Sequence, residues 1–316
     1  MVLTRFRVKS PRSCALFALF ALGCGSSEPL DANSGGGGAG ASGVGGSAST
    51  AGSSNAGSSN AGTAPSCAAP GYPSDSTEYG IQEVVATLNA PNGAPVPNLL
   101  VQVCGINVCF NGMTNASGKT QVAPDMSLAA PAFKYGDGLG YAKLAIPLSS
   151  EATQDLGTLV ALPLPSYADG AAFPASGEVT SGDVTLILQS GGSVTHDLLT
   201  YTDASELTFR SVQIPLAQST GALDPSFGFE LGYALAPVSS VFCPAAGLRV
   251  KNTLGWAANS AVEVFVQGLE VDDKWAPYGN FVKVADAAVN ADASAIEIAS
   301  GGIPILSAIA LRRKTQ

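Results

Sequence analysis

Histidine is almost missing from this sequence: His196 is the one imidazole in 316 residues. That excludes metal sites built from several histidines and chemistry that needs more than one imidazole. Charge is scarce too, at 12% of residues, where soluble domains average about 25%. Cations are the scarcer sign, with 15 Lys and Arg against 24 Asp and Glu and a formal net charge of −9. The chain therefore lacks the basic footprint of a nucleic-acid partner. No stretch keeps a helical period, and no G-x-S-x-G occurs to mark a nucleophile elbow. Present in quantity are 37 Gly and 20 Pro, set between short alternating segments. This is the composition of an all-β, turn-rich protein whose length allows one large domain or two small ones.

The N-terminus reads as an export signal. Residues 1–12 hold Arg5, Arg7, Lys9 and Arg12 and no acid, and nine apolar residues follow from Cys14 to Leu22. As a helix those nine rise about 14 Å, too short for a ~30 Å hydrocarbon core, so they form a signal peptide and not a membrane span. Ala21-Leu22-Gly23-Cys24 resembles the lipobox of bacterial lipoproteins, matching at Gly23 and Cys24 and departing at Ala21 and Leu22. The resemblance implies removal of 1–23, acylation of Cys24, and a membrane partner reached through the N-terminal lipid. Gly25 in place of Asp after the modified cysteine implies, within that family, the outer membrane of the cell envelope. Losing four cations takes the charge from −9 to −13 (−9 − 4).

Residues 24–66 read as a tether. From about Ser34 to Ser66 the chain is almost entirely Gly, Ser, Ala, Asn and Thr, with a tandem AGSSN at 51–60. Such a composition buries too little apolar surface to offset the entropy of ordering, and is expected to be disordered.

Four cysteines follow: Cys67, Cys104, Cys109 and Cys243. An even number in an exported chain points to disulfides. Of the three pairings, Cys104–Cys109 with Cys67–Cys243 is expected, because CGINVC sets the first pair across a Gly-Asn turn between strand-like residues. The second bond then clips the start of the folded region to its far part.

Residues 67–165 form the first expected module. Leu99, Val101 and Val103 share one face of an alternating run, while Leu100 and Gln102 share the other. Turns fall at Pro91-Asn92-Gly93, Ala116-Ser117-Gly118 and Gly136-Asp137-Gly138. ATLNAPNGAPVPNLLVQVCG, TNASGKT and DLGTLVALPL together resemble the carboxypeptidase regulatory-like domain, with CGINVC as a departure. The resemblance implies a small transthyretin-like β-sandwich. Gly118-Lys119-Thr120 mimics the end of a phosphate loop, but position 113 is Met113 where that motif needs Gly, and no helix follows. No nucleotide partner is expected.

Pro163, Pro165 and Pro174 mark the passage to a second module, 166–316. Val184, Leu186 and Leu188 alternate with Asp183, Thr185 and Gln189, Val262, Val264 and Val266 with Glu263, Phe265 and Gln267, and Ile296 and Ile298 flank Glu297. The pattern describes a second antiparallel sandwich. Gly191-Gly192, Ile214-Pro215 and LGYALAPVSSVFCPAAGLRV at 231–250 loosely resemble the ZU-type sandwich of ankyrins and netrin receptors. In that family the module mediates protein contacts.

Chemistry is hard to place on this frame. His196-Asp197 reads as a solvated pair, not as two thirds of a triad. Glu270, Asp272 and Asp273 are the densest acids, without the ligand spacing of a calcium loop. No metal or cofactor is expected. Trp275 and Tyr278 flank Ala276-Pro277 beside Asp272 and Asp273. Such rings either stack on a sugar or fill the core at a strand end. The turn 271–281, with Asp272, Asp273, Trp275 and Tyr278, is the candidate ligand surface. Three function classes remain, led by a non-catalytic envelope lipoprotein presenting its modules for protein or glycan contact. An envelope scaffold and a secreted hydrolase follow.

Overall fold

The computed structural model of the chain describes residues 67–72, 77–219, 221–271 and 274–314. The expected signal peptide, Cys24 and tether lie outside the described residues, as do Asp272 and Asp273. The described chain is all-β, with four one-turn 3-10 segments.

Nine strands form the first module: β1 (Glu78–Ile81), β2 (Glu83–Asn89), β3 (Leu100–Cys104), β4 (Cys109–Met113), β5 (Lys119–Val122), β6 (Met126–Ala129), β7 (Ala132–Tyr135), β8 (Leu144–Pro147) and β9 (Thr153–Val160). They make a three-stranded sheet, β5-β2-β9, a four-stranded sheet, β4-β3-β7-β8, and a β1–β6 ribbon. Period-two alternation decides the inward faces: Val84, Ala86 and Leu88 from β2 meet Val101 and Val103 from β3 in one core. The β3–β4 hairpin closes through the Cys104–Cys109 disulfide, whose Cα atoms are 4.0 Å apart. Gly105 is required in that hairpin, since a Cβ there would lie 2.8 Å from the Ala129 carbonyl oxygen. Gly118-Lys119-Thr120 enters β5 from a tight turn, with Gly118 at φ +74° and no helix behind it.

Twelve strands form the second: β10 (Ala171–Ala172), β11 (Gly177–Ser181), β12 (Val184–Leu188), β13 (Ser193–Thr195), β14 (Thr208–Gln213), β15 (Leu231–Ala236), β16 (Val241–Lys251), β17 (Ala261–Gln267), β18 (Phe281–Val289), β19 (Ala295–Gly301), β20 (Ile303–Ile305) and β21 (Ala308–Arg313). As expected the module is a sandwich, and its strands join in one continuous sheet that folds over on itself, β10-β14-β15-β21-β17-β18-β19-β16-β12-β11. The reason is β16, whose 11 residues pair with β13 and β20 in the first half and β12 and β19 in the second. A bulge between Val264 and Phe265 and another between Asp286 and Ala287 add twist. The sheet curls until the Ser211 N–H of β14 donates to Ser181 Oγ of β11 at 2.9 Å. Val184, Leu186, Val262, Val264, Val266 and Ile296 fill the enclosed core.

The two modules are not beads. Ile214, Ala234, Ala236, Phe265, Phe281, Ala308 and Ala310 of the second belong to the core of the first. Both faces of β17 are therefore buried, with Val264 and Val266 in one core and Phe265 in the other. At the seam, the Gln267 amide behaves as a rung of β-ladder on the edge of β8. Its Oε1 accepts from Ala145 N–H at 3.2 Å and its Nε2 donates to Ala145 O at 2.8 Å. Arg210, 1% exposed, donates from Nη1 to Leu139 O (2.7 Å) and Pro165 O (3.2 Å), with the Tyr167 ring 4.1 Å from its guanidinium carbon. The Cys67–Cys243 disulfide, with Cα atoms 5.2 Å apart, ties the first described residue to β16.

Candidate functional site

Tyr278 is not part of a ligand surface. It is 4% exposed and packs with Cys104 and Ala132 of the first module, under the Lys134 ammonium at 5.4 Å from its ring centre. The connection between β17 and β18 lies across the four-stranded sheet, so of the two roles that sequence allowed this ring it takes the core one, at the seam. Trp275 is half-buried beside a recess of about 10 Å³, room for one water and no ligand. Glu270 accepts a hydrogen bond from Ser239 Oγ.

His196 does not assemble a triad. Its Nδ1 lies 2.8 Å from Ser240 Oγ, and Ser240 is fully buried and donates to Pro237 O at 2.9 Å. Burial holds the imidazole below its ordinary pKa. The Asp197 carboxylate accepts from Leu199 N–H and Thr200 Oγ1 of its own loop. Among the described residues no cluster of His, Cys, Asp and Glu is placed to hold a metal ion.

The far end of the 271–281 turn does reach a concave surface. Asn280 and Phe281 join Pro147, Gly221, Ala222, Asp224, Phe227 and Gly279 around a cleft of about 350 Å³ at the seam. Ligand sites favour such joints and sizes. Local sequence explains the wall at 224–229, DPSFGF. Asp224 caps the 3-10 turn Pro225–Phe227 by accepting from Ser226 N–H at 2.8 Å, Pro225 presets φ, and Gly228 closes the turn at φ +65°. Phe227 is thereby presented half-buried, stacked on Phe229 at 5.2 Å and 6°. Phe229 meets Phe265 and Phe281 edge-on at 5.3 and 5.0 Å. Arg312 fixes the turn from behind, donating from Nη1 to Phe227 O at 2.5 Å and from Nε to Glu263 Oε2 at 2.9 Å. Asp224 and Asn280 are exposed at the rim, Asn280 steadied by its Nδ2 donating to Tyr278 O at 3.1 Å. The floor is tight: a Cβ on Gly279, at φ +73°, would stand 3.1 Å from Ala132 Cβ. An aromatic wall bordered by a carboxylate and an amide is suited to a ring with an apolar face and hydroxylated edges.

Sequence reasoning passed over Asp224 and Phe227. The readable signal was the Asp-Pro-x-Phe-Gly-Phe run, a capped turn that displays one ring on another.

A second groove, of about 460 Å³, crosses the first module past Thr87, Met113, Asn115, Lys119, Gln121 and Asp155. It has no aromatic wall; Asn115 is engaged in its own turn, Gln121 with Glu83 and Asp155 with Gly157 N–H, while the buried Thr120 Oγ1 has no hydrogen-bond partner. It is a solvated sheet face.

No protein family and no curated protein matches the sequence. Among solved structures, a candidate carbohydrate-binding protein from Bacteroides uniformis aligns over 73% of this chain and 98% of its own, at 7% identity and a TM-score of 0.21. A DUF3823 family protein from Parabacteroides merdae aligns over 74% and 99%, at 9% identity and a TM-score of 0.19. Likeness at that level carries no argument about function.

Proposed function

We propose that this chain is a non-catalytic, lipid-anchored protein of the cell envelope, most consistent with the outer membrane, that binds a saccharide in the cleft between its modules. The observation that carries the reading is the cleft's construction: Phe227 held by a capped turn and ring stack, with exposed Asp224 of the same turn and Asn280 lining the same cleft. An unconjugated ring pair on a rigid wall offers a stacking surface with little ordering entropy left to lose. Export, the Cys24 lipid and the carboxypeptidase regulatory-like identity of the first module belong to the same proposal and rest on the sequence motifs.

The test is a glycan array with the purified mature chain, followed by calorimetric titration of the hits. Phe227→Ala and Asn280→Ala should each weaken binding tenfold or more, about 1.4 kcal/mol, with melting temperature nearly unchanged. Binding that survives both substitutions, or a wild-type chain that binds no glycan, removes the cleft reading. Detergent phase partitioning of wild type against Cys24→Ser tests the anchor separately.

A further inference from the structure

Two leucines stand out from the folded surface. Leu199 is 94% exposed and Leu198 66%, the highest values among the large apolar residues described. They are held there by a built loop. The Asp197 carboxylate accepts from Leu199 N–H at 3.0 Å and from Thr200 Oγ1 at 2.6 Å, and the Asp197 carbonyl accepts from Tyr201 N–H at 3.0 Å. Tyr201 is 1% exposed, its hydroxyl donating to Gly138 O at 3.0 Å and accepting from Val238 N–H at 2.6 Å. On the other side, His196 is fastened to Ser240. The fold thus spends a network of side-chain hydrogen bonds on keeping an apolar tip in water.

The tip's position says what covers it. The described chain begins at Cys67, bonded to Cys243. Cys243 is the ladder partner of Ser193 in β13, and β13 runs directly into His196 and the leucines. Leu199 lies six positions beyond Ser193, at most about 21 Å of chain. The point where the expected tether enters the fold and the apolar tip therefore share one end of the molecule.

We infer that the Leu198–Leu199 loop inserts into the lipid bilayer that holds the N-terminal acyl anchor, giving the protein a second membrane contact. This rests on the anchor reading above. A convex tip of two side chains, followed by Thr200, Thr202 and Asp203, is too small to centre a stable protein interface, which needs about 1,000 Å². A bilayer deforms around such a tip, and a tether supplies the high effective concentration that a weak contact requires. Charge narrows the surface further. The loop residues 190–209 around the tip carry Asp197, Asp203 and Glu206 and no Lys or Arg, so the tip suits a zwitterionic surface and is repelled by an anionic one.

The experiment uses the acylated chain reconstituted in phosphatidylethanolamine–phosphatidylcholine vesicles, with flotation to establish that it is membrane-held. Leu199→Trp places a reporter at the tip, against the background of buried Trp256 and half-buried Trp275. Lipids brominated in the acyl chain should quench Leu199→Trp about twofold more than wild type, since interfacial insertion reaches roughly 5–10 Å into the headgroup–acyl boundary. Adding anionic lipid should lower that difference. A chain that floats while the reporter's emission stays solvent-like and unquenched overturns the bilayer contact alone and assigns the tip to a protein partner. A wild-type chain that fails to float overturns both this inference and the anchor on which it rests.

Discussion

Replacing Gln267 with methionine should loosen the seam at its most constrained point. The side chain is 1% exposed, and besides Ala145 it reaches Ala222 O at 3.3 Å and Gly279 O at 3.4 Å through Nε2. Methionine nearly preserves the volume, so the cavity contribution is small. What is lost is the pairing of Ala145 N–H and C=O, both buried at the edge of β8. Each unsatisfied backbone group costs about 1–3 kcal/mol, giving about 2–6 kcal/mol in all. At about 2–4 °C per kcal/mol for a fold of this size, the melting temperature should fall by roughly 4–24 °C. Scanning calorimetry measures it, and hydrogen exchange at Ala145 locates it. Gln267→Glu should cost more at neutral pH, because a carboxylate accepts from Ala145 N–H and repels Ala145 O. Burial raises the folded pKa of such a carboxyl above its unfolded value of about 4.3. The folded state then binds the extra proton, so this variant loses stability as pH rises through that range. A Gln267→Met melting point within a degree of wild type, with Ala145 still protected, would refute the account of the seam.

Lys134 offers a pH test. Burial, helped by the charge of Lys143 and opposed by Glu270, pulls its pKa down to about 8. The unfolded chain holds its proton to about 10.4, so between those values unfolding takes up a proton and stability should rise with pH. Lys134→Met should therefore raise the melting temperature at pH 7 and lose most of that advantage by pH 10; equal gains at both would contradict the burial cost. Tyr278→Ala should destabilise by about 3–5 kcal/mol, as a core aromatic does, whereas half-buried Trp275→Ala should cost far less. Thermal melts that place the two equal would return Tyr278 to the surface.

The all-β class and many inward faces were legible because alternation reports burial locally: Leu99, Val101 and Val103 are buried as their spacing predicts, while Leu100 and Gln102 remain partly exposed. Alternation does not report what lies beyond a strand's second face. Val262, Val264 and Val266 read as the one buried side of β17, yet Phe265 is buried as well because the first module covers it. The same long-range packing put Tyr278 in the seam. It also left the cleft invisible, since Pro147, Asp224 and Asn280 meet through contacts no local pattern encodes. The one-sheet topology depends on β16 serving both layers, and its length is set by partners at 184–187, 193–195 and 295–305.

The Cys67–Cys243 bond also determines how the molecule bears load. A pull on the N-terminal end enters at Cys67 and passes through sulfur into β16, skipping a sequence separation of 176 residues. Tension running from there to β21 is carried by strands hydrogen-bonded on both edges, with β18 and β19 between β16 and β17. Everything from Ala68 to Phe242, the first module and the Phe227 turn included, hangs outside the line of force. A pull between Cys67 and β21 would thus leave the shape of the Phe227 cleft unchanged.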